Sequence, residues 1–283
     1  MRLFWLSALT MTAFAANSIL NRLALAEGAI GAAEFAVIRI AAGALTLSAL
    51  VAWRAGALHP PRPDGAAVAG LALYMICFSF AYVAMDAGLG ALILFAGVQV
   101  TMFTGALIEG ERPPLLRWLG MGLALTGLAA LTLPGAETRT PALSVALMSA
   151  AALGWGIYSL QGRRATDPLA STGWNFVYAL PVVAMVLVVP GGDDVPVSAT
   201  GVLLAIASGA VTSALGYSLW YALLPRLGAS VGALAQLSVP VIAVALGALL
   251  LEETVTPLML AAMALILGGI ALGLLPARPW RKT

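Results

Sequence analysis

The chain has 283 residues, 61% of them hydrophobic and 9% charged, with a formal charge of +2 and a mean hydropathy of +1.00. A soluble domain carries roughly 25% charged residues and about 45–50% apolar ones, so a water-covered globule is excluded, and so is disorder, which needs low hydrophobicity and high net charge. The small charge argues against a nucleic-acid partner, and the single cysteine, Cys77, leaves no intramolecular disulfide framework or thiolate-built metal site.

The composition predicts an all-α integral membrane protein with ten transmembrane helices. At about 20 apolar residues per span, the spans fall at 3–25, 33–53, 65–85, 89–108, 115–134, 141–161, 171–190, 199–224, 229–251 and 256–275. Breaker segments separate them, such as His59-Pro60-Pro61-Arg62-Pro63-Asp64, Glu111-Arg112-Pro113-Pro114 and Pro190-Gly191-Gly192-Asp193-Asp194. The runs are continuous rather than alternating, which excludes a membrane β-barrel. Arg2, the first apolar run and Ala13-Phe14-Ala15 imitate a secretory signal. The run continues to Leu25 and nine more spans follow, so it is read as a span.

Arginine placement sets the orientation. With the N-terminus inside, the inner segments hold Arg2, Arg54, Arg62, Arg112, Arg117, Arg163, Arg164, Arg226, Arg278, Arg281 and Lys282. The outer connections hold only Arg22 and Arg139, and Arg39 lies within a span. By the positive-inside rule both termini are cytoplasmic, in the cell (inner) membrane. The pair Arg163-Arg164 is then a topology signal.

Shifting the chain by 142 positions places Glu111 on Glu253, Gly127 on Gly269, Gly90 on Gly232, Ala91 on Ala233, Arg22 on Arg164 and Phe78 on Trp220. Each half, 1–134 and 141–283, holds five spans. An odd number makes the halves insert in opposite senses, an inverted repeat of the kind that forms transporter sites near the bilayer midplane.

Gly110-Glu111-Arg112 followed by Gly120 and Gly127, and Leu251-Glu252-Glu253 followed by Gly268-Gly269, resemble the end of a half-repeat in the drug/metabolite transporter superfamily. Trp155-Gly156 resembles the Trp-Gly near the start of a half, and Arg39 the arginine of the second span. The resemblance covers the whole chain and points to the ten-helix EamA-type exporters of amino acids and other metabolites, the aromatic amino-acid kind included. Two positions depart from it: Glu252 stands opposite Gly110, and Val98 opposite Pro240.

Intramembrane polar residues are costly and usually face protein or a cavity. The candidates among them are Asn17 and Asn21, Gln99 and Thr101, Tyr158, Ser159 and Gln161, and Gln236 and Ser238. The primary amides of Gln99 and Gln236 offer both donors and acceptors, which suits a zwitterion. Tyr74, Phe78 and Tyr82 repeat every four residues and share one helix face; Tyr217, Trp220 and Tyr221 answer them in the eighth span, and Trp155 and Tyr158 in the sixth. The candidate substrate-binding set is Asn17, Tyr74, Phe78, Gln99, Trp155, Tyr158, Ser159, Tyr217, Trp220 and Gln236. Interfacial belts account for Trp5, Trp53, Trp118 and Trp280, and for Tyr82 and Trp174.

No Asp, Glu or His lies at the centre of a span, and His59 is in a loop. The four-helix members of the superfamily use a glutamate in helix 1, where this chain reads Met11-Thr12-Ala13-Phe14. Facilitated or weakly coupled transport of a neutral or aromatic small molecule is expected, with no cofactor, no metal, and function as a monomer in the lipid bilayer. Arg39 is expected to snorkel outward or to pair with Glu34 or Glu27, a substrate carboxylate being its other possible partner. Gly228-x-x-x-Gly232 and Gly269-x-x-x-Gly273 predict close helix approach, and Pro181 and Pro240 predict kinked spans. An organic-phosphate or nucleotide-sugar carrier would need cavity cations beyond Arg22 and Arg39. A membrane-embedded enzyme would need a nucleophile with a base, or a metal cluster.

Overall fold

The computed structural model describes residues 1–56, 60–132, 140–163, 165–188 and 195–275, without the side chains of 55, 224–225 and 228–234. His59, Arg139, Arg164, Trp280 and the basic C-terminal residues therefore lie outside the described residues, as does the packing around Gly228 and Gly232.

Every described regular element is helical. The first five are α1 (Arg2–Ala26), α2 (Ala32–Ala55), α3 (Gly65–Ala81), α4 (Ala87–Ile108) and α5 (Leu115–Thr132). They are followed by α6 (Ala142–Gly162) and α7 (Pro168–Ala184), which tightens into a 3-10 turn over Met185–Val188. An eighth helical run consists of α8 (Ala199–Ile206), a π-helical stretch (Ala207–Leu215) and α9 (Gly216–Gln236). The last two are α10 (Ser238–Leu250) and α11 (Pro257–Gly273).

Several starts are written in the sequence. The Asp64 carboxylate accepts from Ala66 N and Ala67 N at 3.0 and 3.2 Å and opens α3. Asp167 caps α7, Ser198 caps α8 and Thr256 caps α11. In α7 and α11 a proline follows the cap, where its missing N–H costs nothing.

Among the described residues seven helices are long and apolar enough to cross a membrane, and three shorter apolar helices, α3, α10 and α11, have 17, 13 and 17 residues. Seventeen residues span about 26 Å, short of the roughly 30 Å hydrocarbon core. The expected boundary at 225–228 is corrected: it lies within α9, and the interruption falls at Leu237. Pro240 explains it: its ring opposes the carbonyl four residues back, that of Gln236, the last residue of α9. Pro240 thus sits in the first turn of α10 rather than kinking a continuous span, whereas Pro181 lies inside α7, three residues before its end.

The chain is an all-α multi-pass membrane protein. Phe4, Leu45, Leu143, Leu203 and Leu249 point large apolar side chains outward, as contact with lipid requires. Helix pairing is symmetric under exchange of each element with its counterpart five spans on. α3 packs on α6 as α1 packs on the eighth run, and α4 packs on α6 as α1 packs on α10. α3 meets α7 as α2 meets the π stretch, while α2–α7, α4–α10 and α5–α11 are self-matched pairs. In the α5–α11 seam, Gly120 lies against the Gly269 carbonyl, and a Cβ on Gly269 would stand 2.5 Å from the Gly120 carbonyl oxygen. Only glycine permits that approach.

Candidate functional site

A small closed cavity sits where α1, α3, α4, α6 and α9 meet, lined by Phe14, Asn17, Ser18, Tyr74, Phe78, Leu94, Phe95, Trp155 and Tyr217. Its volume is about 20 Å³, room for a single water, whereas ligand pockets run to about 300–1,000 Å³. The site is closed, and a metabolite enters only if the helices move apart.

The four-residue spacing on α3 stacks its rings along one face, and the stack crosses between the halves. Ring centroids of Tyr82 and Phe78 are 4.7 Å apart, Phe78 and Tyr74 5.0 Å, Tyr74 and Trp155 4.9 Å, and Trp155 and Tyr217 4.8 Å. Phe14 closes the end, edge-on to Tyr217 at 5.7 Å.

A buried polar network borders this stack. The Asn17 side-chain carbonyl accepts from the Ser208 hydroxyl at 2.6 Å and the Thr212 hydroxyl at 3.0 Å, and its amide donates to the Tyr74 hydroxyl at 3.2 Å. Asn21 extends the network by donating to Ser208 and accepting from Ser79. Ser208, Thr212 and Ser213 all come from the π stretch, whose wider turn faces α1 and α2. Such segments are frequent at functional sites.

Arg39 departs from expectation. It neither snorkels nor pairs with Glu34 or Glu27: it is fully buried, its Nη2 donating to the Tyr74 hydroxyl at 2.9 Å and its Nε and Nη2 approaching the Ser213 hydroxyl at 3.4 Å. The guanidinium carbon lies 5.2 Å from the Tyr74 ring centre and 4.9 Å from that of Phe78. Glu34 turns its carboxylate back over Gly31 at the start of α2. Tyr82, expected in a belt, is also fully buried: its ring fills the space a side chain at Gly90 would need, and its hydroxyl donates to the Ala87 carbonyl at 3.4 Å.

Of the sequence candidates, Asn17, Tyr74, Phe78, Trp155 and Tyr217 come together at the cavity. Tyr158 packs behind Trp155, with ring centroids 5.6 Å apart. Ser159 donates to the Trp155 carbonyl at 2.7 Å within its own helix, and Trp220 packs on Phe14 away from the lining. Gln99 and Gln236 are half-buried and do not border the cavity. Phe14, Ser18, Arg39, Ser208, Thr212 and Ser213 are additions. A cation in mid-span signalled Arg39, whereas α-helical spacing leaves Ser213 off the face shared by Ser208 and Thr212.

One end of the bundle carries a second, larger hollow of about 500 Å³, bordered by Arg22, Glu27, Asp86, Glu252 and Glu253 among others. Arg22 reaches the carbonyls of Tyr82 and Val83 and the Asp86 carboxylate, at 3.3, 3.1 and 3.4 Å. The Glu253 carboxylate accepts from Ala87 N at 2.6 Å and Gly88 N at 3.2 Å, capping α4 from the opposite half. Burial pushes its carboxyl pKa up, against the pull of those two N–H groups and of Arg22. Among the described residues no cluster of His, Cys, Asp and Glu could hold a metal ion.

Residues 142–275 match the EamA-like transporter family. An uncharacterised protein of Pseudomonas aeruginosa is 45% identical over 97% of this chain and 95% of its own length. A probable amino-acid metabolite efflux pump of Salmonella typhimurium is 29% identical over 71% of this chain and 73% of its own. A crystal structure with 21% sequence identity shares the fold at a TM-score of 0.66, covering 94% of this chain and 98% of that one. With a two-fold helix arrangement closing on an aromatic centre, the chain belongs to the EamA-like transporter family of the drug/metabolite transporter superfamily and is a membrane transporter.

Proposed function

We propose that the protein is a secondary transporter that moves small metabolites, neutral or aromatic amino acids foremost, out of the cytoplasm by alternating access. In this reading all ten helices cross the inner membrane as two inverted five-helix repeats, 1–134 and 141–283, with both termini cytoplasmic and one chain sufficient for function. The observation that carries it is the closed aromatic cavity built by both halves, from α1, α3 and α4 of the first and α6 and α9 of the second. Bundles that rock about a fixed central site open it to each side in turn. The name of the Salmonella relative supports an amino-acid substrate and outward direction.

Asn17, Tyr74, Phe78, Trp155 and Tyr217 meet the substrate first. Gln99, Tyr158, Ser159, Trp220 and Gln236 join the path as it opens. The walls are apolar with few polar anchors, as small-molecule sites are. Transport follows the substrate gradient with weak or no ion coupling, since no acid lies mid-span.

Purified protein in liposomes, offered labelled amino acids, sugars and nucleosides, tests the proposal. Amino acids should move down their gradient, and Trp155→Ala or Tyr217→Ala should lower the rate tenfold or more. Preference for sugars or nucleosides would overturn the substrate class. A rate proportional to an imposed pH gradient would overturn the coupling.

A further inference from the structure

We propose that Arg39 is the anchor for a carboxylate on the transported molecule, so that the substrates are organic acids or zwitterions rather than uncharged metabolites. The inference rests on the transport reading above and adds a binding group to it. Arginine keeps its charge in any protein environment. This one is fully buried, and the ion pairs among the described residues use Arg22, Arg54, Arg117 and Arg163 instead. Its neighbours are neutral: the hydroxyls of Tyr74 and Ser213 and the faces of Tyr74 and Phe78. Its Nη1 is buried with no hydrogen-bond partner. Buried polar groups are nearly always paired, and a buried charge is normally matched by an opposite one. Arg39 therefore holds an unmet demand for an anion.

The position of that demand points to the transported molecule. Tyr74 and Phe78, whose rings face the guanidinium, are also walls of the central cavity. Ring faces attract a cation weakly, and in the closed site they stand where a carboxylate would be. When the helices separate, a carboxylate can take the guanidinium edge bearing Nη1, a charge-assisted contact stronger than the ring faces it replaces. The Tyr74 hydroxyl, which accepts from both Arg39 and Asn17, fixes the orientation of the fork. An apolar or aromatic substituent then lies among Phe14, Trp155 and Tyr217.

The test uses full-length protein in liposomes, with labelled phenylalanine and leucine as cargo. Competitors are 3-phenylpropanoate, phenylalanine methyl ester, phenylalaninol and phenethylamine. Thermal stabilisation of the detergent-solubilised protein by the same compounds is a second readout. Carboxylates should compete at least tenfold better than the ester, alcohol and amine, and only they should raise the melting temperature. Arg39→Lys should raise the half-saturation concentration tenfold or more with a smaller change in maximal rate, and Arg39→Gln should erase the discrimination. If these variants do not fold, the wild-type comparison of acid with ester decides alone. Equal handling of amino acids and their esters overturns the anchor and leaves the transporter standing. Arg39-dependent handling of 3-phenylpropanoate without any amino acid upholds the anchor and overturns the amino-acid reading. No transport and no thermal shift with any of these compounds overturns both.

Discussion

Glu252 is the one non-glycine residue with a positive φ among the described residues, at 54°, and its repeat counterpart is Gly110, at 85°. The left-handed turn that ends the fourth span thus recurs at the ninth without the residue suited to it. The conformation costs a side-chain-bearing residue about 1–2 kcal/mol, partly offset by the entropy glycine loses on folding. Glu252→Gly should therefore raise stability by about 0.5–1 kcal/mol, read as a higher melting temperature in detergent. Its neighbour Glu253 yields a prediction in pH. Because burial raises its folded pKa above the ordinary 4.5, the folded state holds its proton longer, and stability falls as pH rises from that value through the raised one. Asp86 faces it and adds to the rise, while Arg22 opposes it. Glu253→Gln should flatten this descent in melting temperature between mildly acidic and neutral pH. The change from Gly110 to Glu252 was legible in the sequence as a break in the repeat, but its meaning was not, since a φ angle leaves no mark in composition. Arg39 was legible as a cation out of place. Its burial was not, because the Ser213 that helps receive it is 174 positions away.

At the level of helices, the α5–α11 pair is held by close backbone approach rather than by large side chains. Gly120 meets the Gly269 carbonyl, and a Cβ on Gly127 would stand 2.8 Å from the Ala262 carbonyl oxygen. These two contacts exchange under the 142-residue shift. Gly120→Val would drive a branched side chain into backbone that has no rotamer to yield. Overpacking of this kind costs about 1–3 kcal/mol. Neither α5 nor α11 lines the cavity, so melting temperature should drop while the half-saturation concentration for transport stays within about twofold of wild type, less than 0.5 kcal/mol. A large change in half-saturation would show that this pair takes part in gating. The Gly269-x-x-x-Gly273 spacing in α11 made a close approach legible in the sequence, but not its partner α5. The eighth span was less legible: its hydrophobic run fixed where it begins, but not the π turn, because nine residues of altered pitch leave hydrophobicity unchanged while turning Ser208 and Thr212 toward Asn17.

For the molecule as a whole, the decisive relation is between Glu111 and Glu253. Glu253 binds the first N–H groups of α4, and Glu111 lies just beyond its last turn, ion-paired to Arg117 at 3.6 Å. A helix of 22 residues separates them by about 33 Å, so equivalent residues of the two halves stand at opposite ends of the bundle. The ends also differ in charge. The Glu111 end holds Arg54, Arg112, Arg117 and Arg163 with the acids Glu109 and Asp167, whereas around Glu253 there is Arg22 with Glu27, Asp86 and Glu252. The repeat and the arginine bias were both readable in the sequence because each is carried by residue identity alone, without regard to which helices touch. Together they make a labelling prediction. Glu111→Cys and Glu252→Cys both place a thiol at an exposed position, and the native Cys77 is buried, keeping background reaction low. A membrane-impermeant maleimide applied to intact cells should modify the cysteine at 252 and spare the one at 111 until the membrane is permeabilised. The reverse pattern would invert the assigned orientation but preserve the two-fold arrangement. Modification of both from the same side would remove the antiparallel relation between the halves, and with it the basis for a site that faces each side in turn.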